Sequence, residues 1–191
     1  MDWPIFFPSV ATRALIAGRK HEARRLIGSP LAACRPGDRL WVKEPFAARR
    51  HGAPHEALGR WSPVREADFV VFGDGIRRDR RGMMTPGHAP PPDQVSWAPA
   101  LHLPRWASRL TLIVERIDTQ PLQAITRDDA IAEGLAPVLP SLWRRPGGWR
   151  LWRDPRAAFA RQWDTDHGTD GERWAANPMV VVLRFTVVRA N

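Results

Sequence analysis

The chain has no tyrosine, a single cysteine and only two lysines, and these shortages exclude several classes of protein. Because Cys34 has no second cysteine to pair with, neither a disulfide framework nor a cysteine-based metal cluster can form. No apolar run approaches the roughly 18 residues that a membrane-spanning helix needs. The N-terminal sequence MDWPIFFPSV has an acidic second residue and lacks the basic start of a signal peptide. We therefore expect a reduced, cytoplasmic, monomeric protein that makes no contact with a membrane.

Several familiar catalytic motifs are also missing from the sequence. It has no phosphate-binding glycine loop with its lysine, no GxGxxG motif and no HExxH motif, and Ser108 belongs to no readable hydrolase triad. His51 and His55 have the spacing of two metal ligands on a helix, but Gly52 and Pro54 argue against a helix there. We therefore expect neither a metal site nor a cofactor.

The strongest property of the composition is its positive charge. Lysine and arginine together number 29 against 20 acidic residues, so the formal net charge is +9 at pH 7. A soluble protein with this balance favours a polyanionic partner, and nucleic acid is the commonest one. The ten tryptophans can serve in the core or stack on bases. We therefore expect RNA or a nucleotide as the partner.

Lys20 is unusual because nearly every other cation in the chain is arginine; Lys43 is the only other lysine. An arginine stays protonated, whereas a crowded or desolvated lysine can lose its proton. Arg19, Arg24 and Arg25 lie close in sequence and would lower the pKa of Lys20 if they are also close in space. Two interpretations of Lys20 therefore remain. It is a candidate catalytic base or nucleophile, or else it is an ordinary solvated charge.

The order of apolar segments and turn signals predicts an α+β fold. We expect one domain over residues 1–191, with a loop-rich, irregular insertion at about 48–100 that is rich in proline, glycine and arginine. Strands of one closed or nearly closed barrel are predicted at 39–43, 67–72, 110–119 and 179–188. Helices outside that barrel are predicted at 126–133, with Thr126 as N-cap, and at 155–163.

Five short motifs occur in order along the chain, and together they resemble a known family. The motifs are Gly18-x-Lys20-x-x-Ala23-x-Arg25, the PGD turn at 36–38 with WVKE at 41–44, LPRWASR at 103–109, DAIAEG at 129–134, and Trp174 with Asn177-Pro178. In this series the chain resembles the ASCH domain family, in the longer form found in phage and prophage proteins. The resemblance covers nearly the whole length and is weakest between about 48 and 95.

The resemblance implies a PUA-like fold, which is a small, mixed and mostly antiparallel β-barrel with flanking helices. Members of the family are associated with RNA binding and nucleotide-level chemistry, and one branch hydrolyses the acetyl amide of N4-acetylcytidine. By that likeness Lys20 and Glu133 correspond to the catalytic lysine and glutamate of the amidohydrolases, and we expect the Lys20 ammonium to lie within reach of the Glu133 carboxylate, directly or through one bridging water. The family's threonine is replaced by Ala23, which has no hydroxyl to act as a nucleophile.

Three functions follow as alternatives. The first is an RNA- or modified-nucleotide-binding protein with a basic cleft. The second is a metal-independent hydrolase, either a ribonuclease or an amidohydrolase, that uses Lys20 and Glu133 for acid–base chemistry. The third is a non-enzymatic prophage interaction module whose insertion contacts another protein. The residues that we expect to contact nucleic acid are His21, Arg24, Arg25, Trp41, Glu44, Arg105, Trp106, Ser108 and Arg109.

Overall fold

The structure is a computed structural model that describes residues 1–50, 64–88, 97–144 and 149–189. The helices are α1 Ser9–Ile16, α2 Arg127–Ala132 and α3 Pro155–Asp166. The strands are β1 Asp2–Phe6, β2 Glu22–Leu26, β3 Arg39–Lys43, β4 Phe46–Arg49, β5 Phe69–Phe72, β6 Arg77–Asp79, β7 Met84–Thr85, β8 Leu110–Pro121, β9 Pro137–Leu139, β10 Leu142–Trp143 and β11 Met179–Arg189. The predicted α+β class is therefore confirmed. Within the described ranges, no helix is long and apolar enough to cross a membrane.

The strands that the structure describes form three sheets rather than the single predicted barrel. A five-stranded sheet has the order β1-β3-β8-β11-β2, a four-stranded sheet has the order β4-β5-β6-β7, and β9 pairs with β10. No closed barrel is found among the strands that the structure describes. The prediction that 67–72 joins the other three predicted strands was wrong, because β5 lies in the four-stranded sheet.

The expected irregular insertion contains more regular structure than its sequence suggests. Strands β4 to β7 pair as an antiparallel meander, in which Val70 of β5 lies opposite Arg78 of β6. The arginine-rich sequence of β6 hid this strand, because charged residues give no alternation of apolar side chains. Arg77 instead lies over the Phe69 ring, with 5.6 Å between its Cζ atom and the ring centroid. Parts of the insertion at 51–63 and 89–96 lie outside the described residues.

The chain divides into two compact units. Unit 1 contains Arg13–Arg39 and Ile113–Val187, and unit 2 contains Asp2–Thr12 and Leu40–Leu112. Each unit has its own apolar cluster. In unit 1 the cluster is built on Leu122, Ile125, Ala130, Leu135, Trp143, Ala158, Phe159, Trp163, Val180 and Val182. In unit 2 it is built on Phe46, Val70, Phe72, Leu103 and Ala107.

Two local signals set the helices of unit 1. Thr126 caps α2 through a complete capping box, in which its hydroxyl accepts from the Asp129 amide and the Asp129 carboxylate accepts from the Thr126 amide. Asp154 caps α3 by accepting from the Arg156 amide, and Pro155 fills the first helical position. Both helices therefore begin where the sequence predicts. The cap at Thr126 fixes the start of α2, whose C-terminal end is followed directly by Glu133.

Candidate functional site

Two chain reversals in unit 1 bring Lys20 to Glu133. Gly18, with a φ of +68°, reverses the chain after α1, and Gly134, with a φ of +98°, does the same after α2. The His21 amide donates to the Ala132 carbonyl at 2.9 Å, and Lys20 and Glu133 form an isolated antiparallel bridge. The backbone therefore holds the start of β2 against the end of α2 before any side chain is considered.

The side chains of Lys20 and Glu133 form a direct, buried ion pair. The Lys20 ammonium donates to the Glu133 carboxylate at 2.6 Å and to the Glu133 backbone carbonyl at 2.8 Å. The two side chains are only 5% and 8% exposed. The contact between these two residues that the resemblance predicts is therefore present, and it lies entirely within unit 1.

Arg24 extends this pair into a buried ionic cluster. Its Nη1 donates to Glu133 Oε1 at 3.1 Å and to Glu22 Oε2 at 3.0 Å. Its Nη2 lies 3.3 Å from Asp129 Oδ2. Because Arg24 is only 2% exposed, its guanidinium faces these carboxylates rather than solvent. We expected Arg24 to contact nucleic acid; the structure instead turns its charge inward.

Arg184 joins the cluster from β11, and sequence reasoning missed it together with Glu22. Arg184 Nε donates to Glu22 Oε1 at 2.5 Å, and its Nη2 donates to Asp129 Oδ1 at 3.3 Å. In the antiparallel register Glu22 lies opposite Arg184. Glu22 and Arg24 also share one face of β2, because side chains two apart in a strand point the same way. That two-residue spacing was a signal that the sequence already contained.

The surroundings change the pKa values of two members of the cluster. Burial lowers the pKa of Lys20 from its ordinary 10.5; Glu133 opposes this effect, and Arg25 and Arg24 add to it. Burial acts to raise the pKa of Asp129, but hydrogen bonds with Thr126 and the charges of Arg24 and Arg184 hold it below its ordinary 3.8. The cluster thus combines an ammonium that gives up its proton more readily with a carboxylate that stays ionised.

Several other residues that we expected to contact nucleic acid are buried in unit 2. Arg109 makes a bidentate contact with the Glu44 carboxylate, at 2.7 and 2.9 Å, and also donates to Asp74 at 2.6 Å. The Ser108 hydroxyl donates to the Val42 carbonyl at 2.9 Å. Burial raises the pKa of Glu44, and Arg109 opposes that rise. As with Arg24, the polar groups of Glu44, Ser108 and Arg109 are engaged inside the protein.

The remaining predicted contact residues are at least partly accessible. His21 in unit 1 and Arg105 in unit 2 are exposed, while Arg25, Trp41 and Trp106 are half-buried. Arg80 covers Trp106, with its Cζ atom 5.1 Å from the ring centroid. The structure thus brings Lys20, His21, Arg24, Arg25 and Glu133 into unit 1, and Trp41, Glu44, Arg105, Trp106, Ser108 and Arg109 into unit 2.

Within the part of the chain that the structure describes, no three His, Cys, Asp or Glu side chains are placed to hold a metal ion. His51 and His55 lie outside the described residues. Comparison with known proteins adds no identification: no family model, no curated protein and no solved structure matches this chain. The site must therefore be interpreted from its own chemistry.

Gly134→Ala tests whether the close backbone approach builds the site. A Cβ atom at Gly134 would lie 2.9 Å from Ala14 Cβ and 3.0 Å from Lys20 Cβ. Gly171 has a similar positive φ of +86°, but a Cβ atom there meets nothing within 4 Å. We expect Gly134→Ala to lower the free energy of unfolding by about 1–3 kcal/mol more than Gly171→Ala, measured by urea denaturation. Equal losses of unfolding free energy in the two variants would show that the close backbone approach at Gly134 does not build the site.

Glu133→Gln tests the electrostatic coupling of the pair. Removing the carboxylate 2.6 Å from the Lys20 ammonium removes the largest influence that raises the lysine pKa, so this pKa should fall further. NMR of protein labelled with ¹⁵N at lysine Nζ measures it, because the chain has only two lysines. Lys43 is the internal control, and its pKa should not change.

The same variant has a predictable effect on stability. Because the folded-state pKa of Lys20 is below 10.5, the unfolded chain binds more protons between the two values, and this contribution to stability rises with pH across that window. In Glu133→Gln the window should extend to lower pH. An unchanged Lys20 titration in the variant would contradict the pairing.

Proposed function

We propose that this chain binds RNA or a modified nucleotide as an ASCH-type protein, and that its site surrounds the Lys20–Glu133 pair. The observation that carries the proposal is that pair, joined at 2.6 Å and buried. Buried ion pairs often stabilise a fold no better than apolar residues of similar size. Buried charges with a perturbed pKa are therefore candidates for function rather than for stability alone.

The rim of the pair supplies groups suited to a nucleotide. Arg19, exposed in unit 1, donates to the Gly134 carbonyl at 3.1 Å, and the neighbouring His21 is also exposed. With the half-buried Arg25, these side chains are the proposed contacts to phosphate. The Lys20 ammonium is a hydrogen-bond donor and the neighbouring Glu133 carboxylate is an acceptor. Together they match the edge of a base that carries one acceptor next to one donor. Such a base would compete with the contact between Lys20 and Glu133.

A hydrolase is the second candidate, and the lowered pKa of Lys20 is the observation that favours it. In an amidohydrolase the neutral Lys20 amine would take a proton from water as the water oxygen bonds to the acyl carbon. The resulting ammonium would return that proton to the leaving nitrogen as the carbon–nitrogen bond breaks, giving an acid and an amine. Ala23 is fully buried and has no hydroxyl, so water replaces a side-chain nucleophile.

Salt dependence of RNA binding tests the proposed site. Replacing Arg19 and Arg25 together by alanine should reduce the slope of log affinity against log salt by roughly one unit for each lost phosphate contact. Arg116→Ala with Arg127→Ala is the matched control, since it removes the same charge from side chains that are 65% and 59% exposed. Equal effects of the two double variants would overturn the site, and so would an absence of binding at low salt.

Product analysis distinguishes binding from turnover. Wild-type protein and Lys20→Arg are incubated with mixed RNAs and acetylated nucleosides, and thermal unfolding checks that the variant is folded. A catalytic lysine loses turnover in Lys20→Arg while binding survives, because a guanidinium cannot take up the proton. Salt-sensitive binding without any product would identify a binding protein. An absence of both would favour the interaction module.

A further inference from the structure

One face of strand β3 in unit 2 carries an unusual combination of side chains. Leu40 and Val42 are fully buried, while Trp41 and Lys43 alternate with them and are only half-buried. From neighbouring β1, Phe6 is 43% exposed. The solvent side of a sheet is normally polar, so two partly exposed aromatic rings beside a lysine need an explanation.

Two cations lie against these rings. The Lys43 ammonium is 5.0 Å from the centroid of Trp41 and 5.2 Å from that of Phe6. The Arg105 Cζ atom is 5.7 Å from the Trp41 centroid; the Arg105 side chain is 45% exposed, and its Nη2 donates to Asp2 Oδ2 at 3.4 Å. We call Phe6, Trp41, Lys43 and Arg105 the cation–aromatic face.

The positions of these cations are suited to a negatively charged ligand that also has flat rings. The Lys43 ammonium donates to the Leu101 carbonyl, so it is held near the rings rather than extended into solvent. Partial burial of the Lys43 ammonium lowers its pKa. Aromatic rings together with cations are the combination that proteins use for single-stranded nucleic acid, since bases stack and phosphates need positive charge.

We infer that the cation–aromatic face binds unpaired nucleotides of RNA, with bases stacked on Phe6 and Trp41 and with phosphates near Lys43 and Arg105. The choice of RNA rests on the proposed function, whereas the face itself is argued from its own contacts. The net charge of +9 favours this occupant over a neutral apolar partner. A duplex keeps its base faces stacked internally, so the face should prefer single strands.

The test compares oligouridine with an abasic ribose-phosphate oligomer of the same length and charge. Wild-type protein should bind oligouridine about tenfold or more tightly than the abasic oligomer, on the scale of one or two stacked bases. The double variant Phe6→Leu with Trp41→Leu should lose this preference while its affinity for the abasic oligomer stays unchanged. Fluorescence anisotropy of end-labelled oligomers gives both affinities.

The control for loss of an indole is Trp149→Leu, because Trp149 in unit 1 is 90% exposed. It should bind oligouridine as the wild type does. The leucines preserve apolar bulk, and thermal unfolding identifies any loss of fold. If Phe6→Leu with Trp41→Leu is unstable, Lys43→Gln with Arg105→Gln is tested instead. This variant should reduce the slope of log affinity against log salt by roughly two units. An unchanged slope there would overturn the inference.

Three further outcomes separate this inference from the proposed function. If Arg19→Ala with Arg25→Ala weakens oligouridine binding and the leucine variant does not, the inference fails and the proposed site stands. If only the leucine variant weakens binding, the inference stands and the proposed site fails. Equal binding of abasic oligomer and oligouridine, or equally tight and equally variant-sensitive binding of polyglutamate, would overturn the stacking role.

Discussion

The Arg24 guanidinium organises the charged groups of unit 1. It lies within 3.3 Å of carboxylate oxygens from Glu22, Asp129 and Glu133. Two of its nitrogens, Nε and Nη2, are buried and have no hydrogen-bond partner among the described residues. Attraction between opposite charges therefore holds Arg24 in place more than complete hydrogen bonding does. Three carboxylates meeting inside a protein would otherwise repel one another and take up protons. The position of the carboxylate that faces Lys20 therefore depends on Arg24.

The elements that sequence predicts well are those with local signals. Strand β3 occupies 39–43 as predicted, and helices α2 and α3 begin at residues whose capping side chains can be read directly. Which strands pair with one another is harder to predict, because the neighbouring strand in a sheet is formed by residues far along the chain. The strand at Phe69–Phe72 was therefore assigned to the wrong sheet, although its apolar pattern identified it as a strand.

The same distinction applies to the candidate site. The contact of Lys20 with Glu133, 113 residues apart, came from the resemblance and not from spacing. Arg24 and Arg109 were expected to contact nucleic acid. For Arg109, no feature of the neighbouring sequence indicates a buried partner. Asp74 lies 35 residues from Arg109, so only the folded chain reveals that pair. Arg184 was missed for the same reason, since its partnership with Glu22 depends on the register of β11 against β2.

The two lysines also give the protein an unusual chemical simplicity. Reagents that acylate amines can modify only two side chains, and these differ in access. The Lys20 nitrogen is enclosed by the carbonyl and carboxylate of Glu133, whereas Lys43 lies half-buried over aromatic rings. Acylation of Lys20 requires the ion pair to open and the amine to be neutral. The rate at which that one site gains mass therefore reports how often the pair opens with the amine neutral, without any knowledge of the ligand.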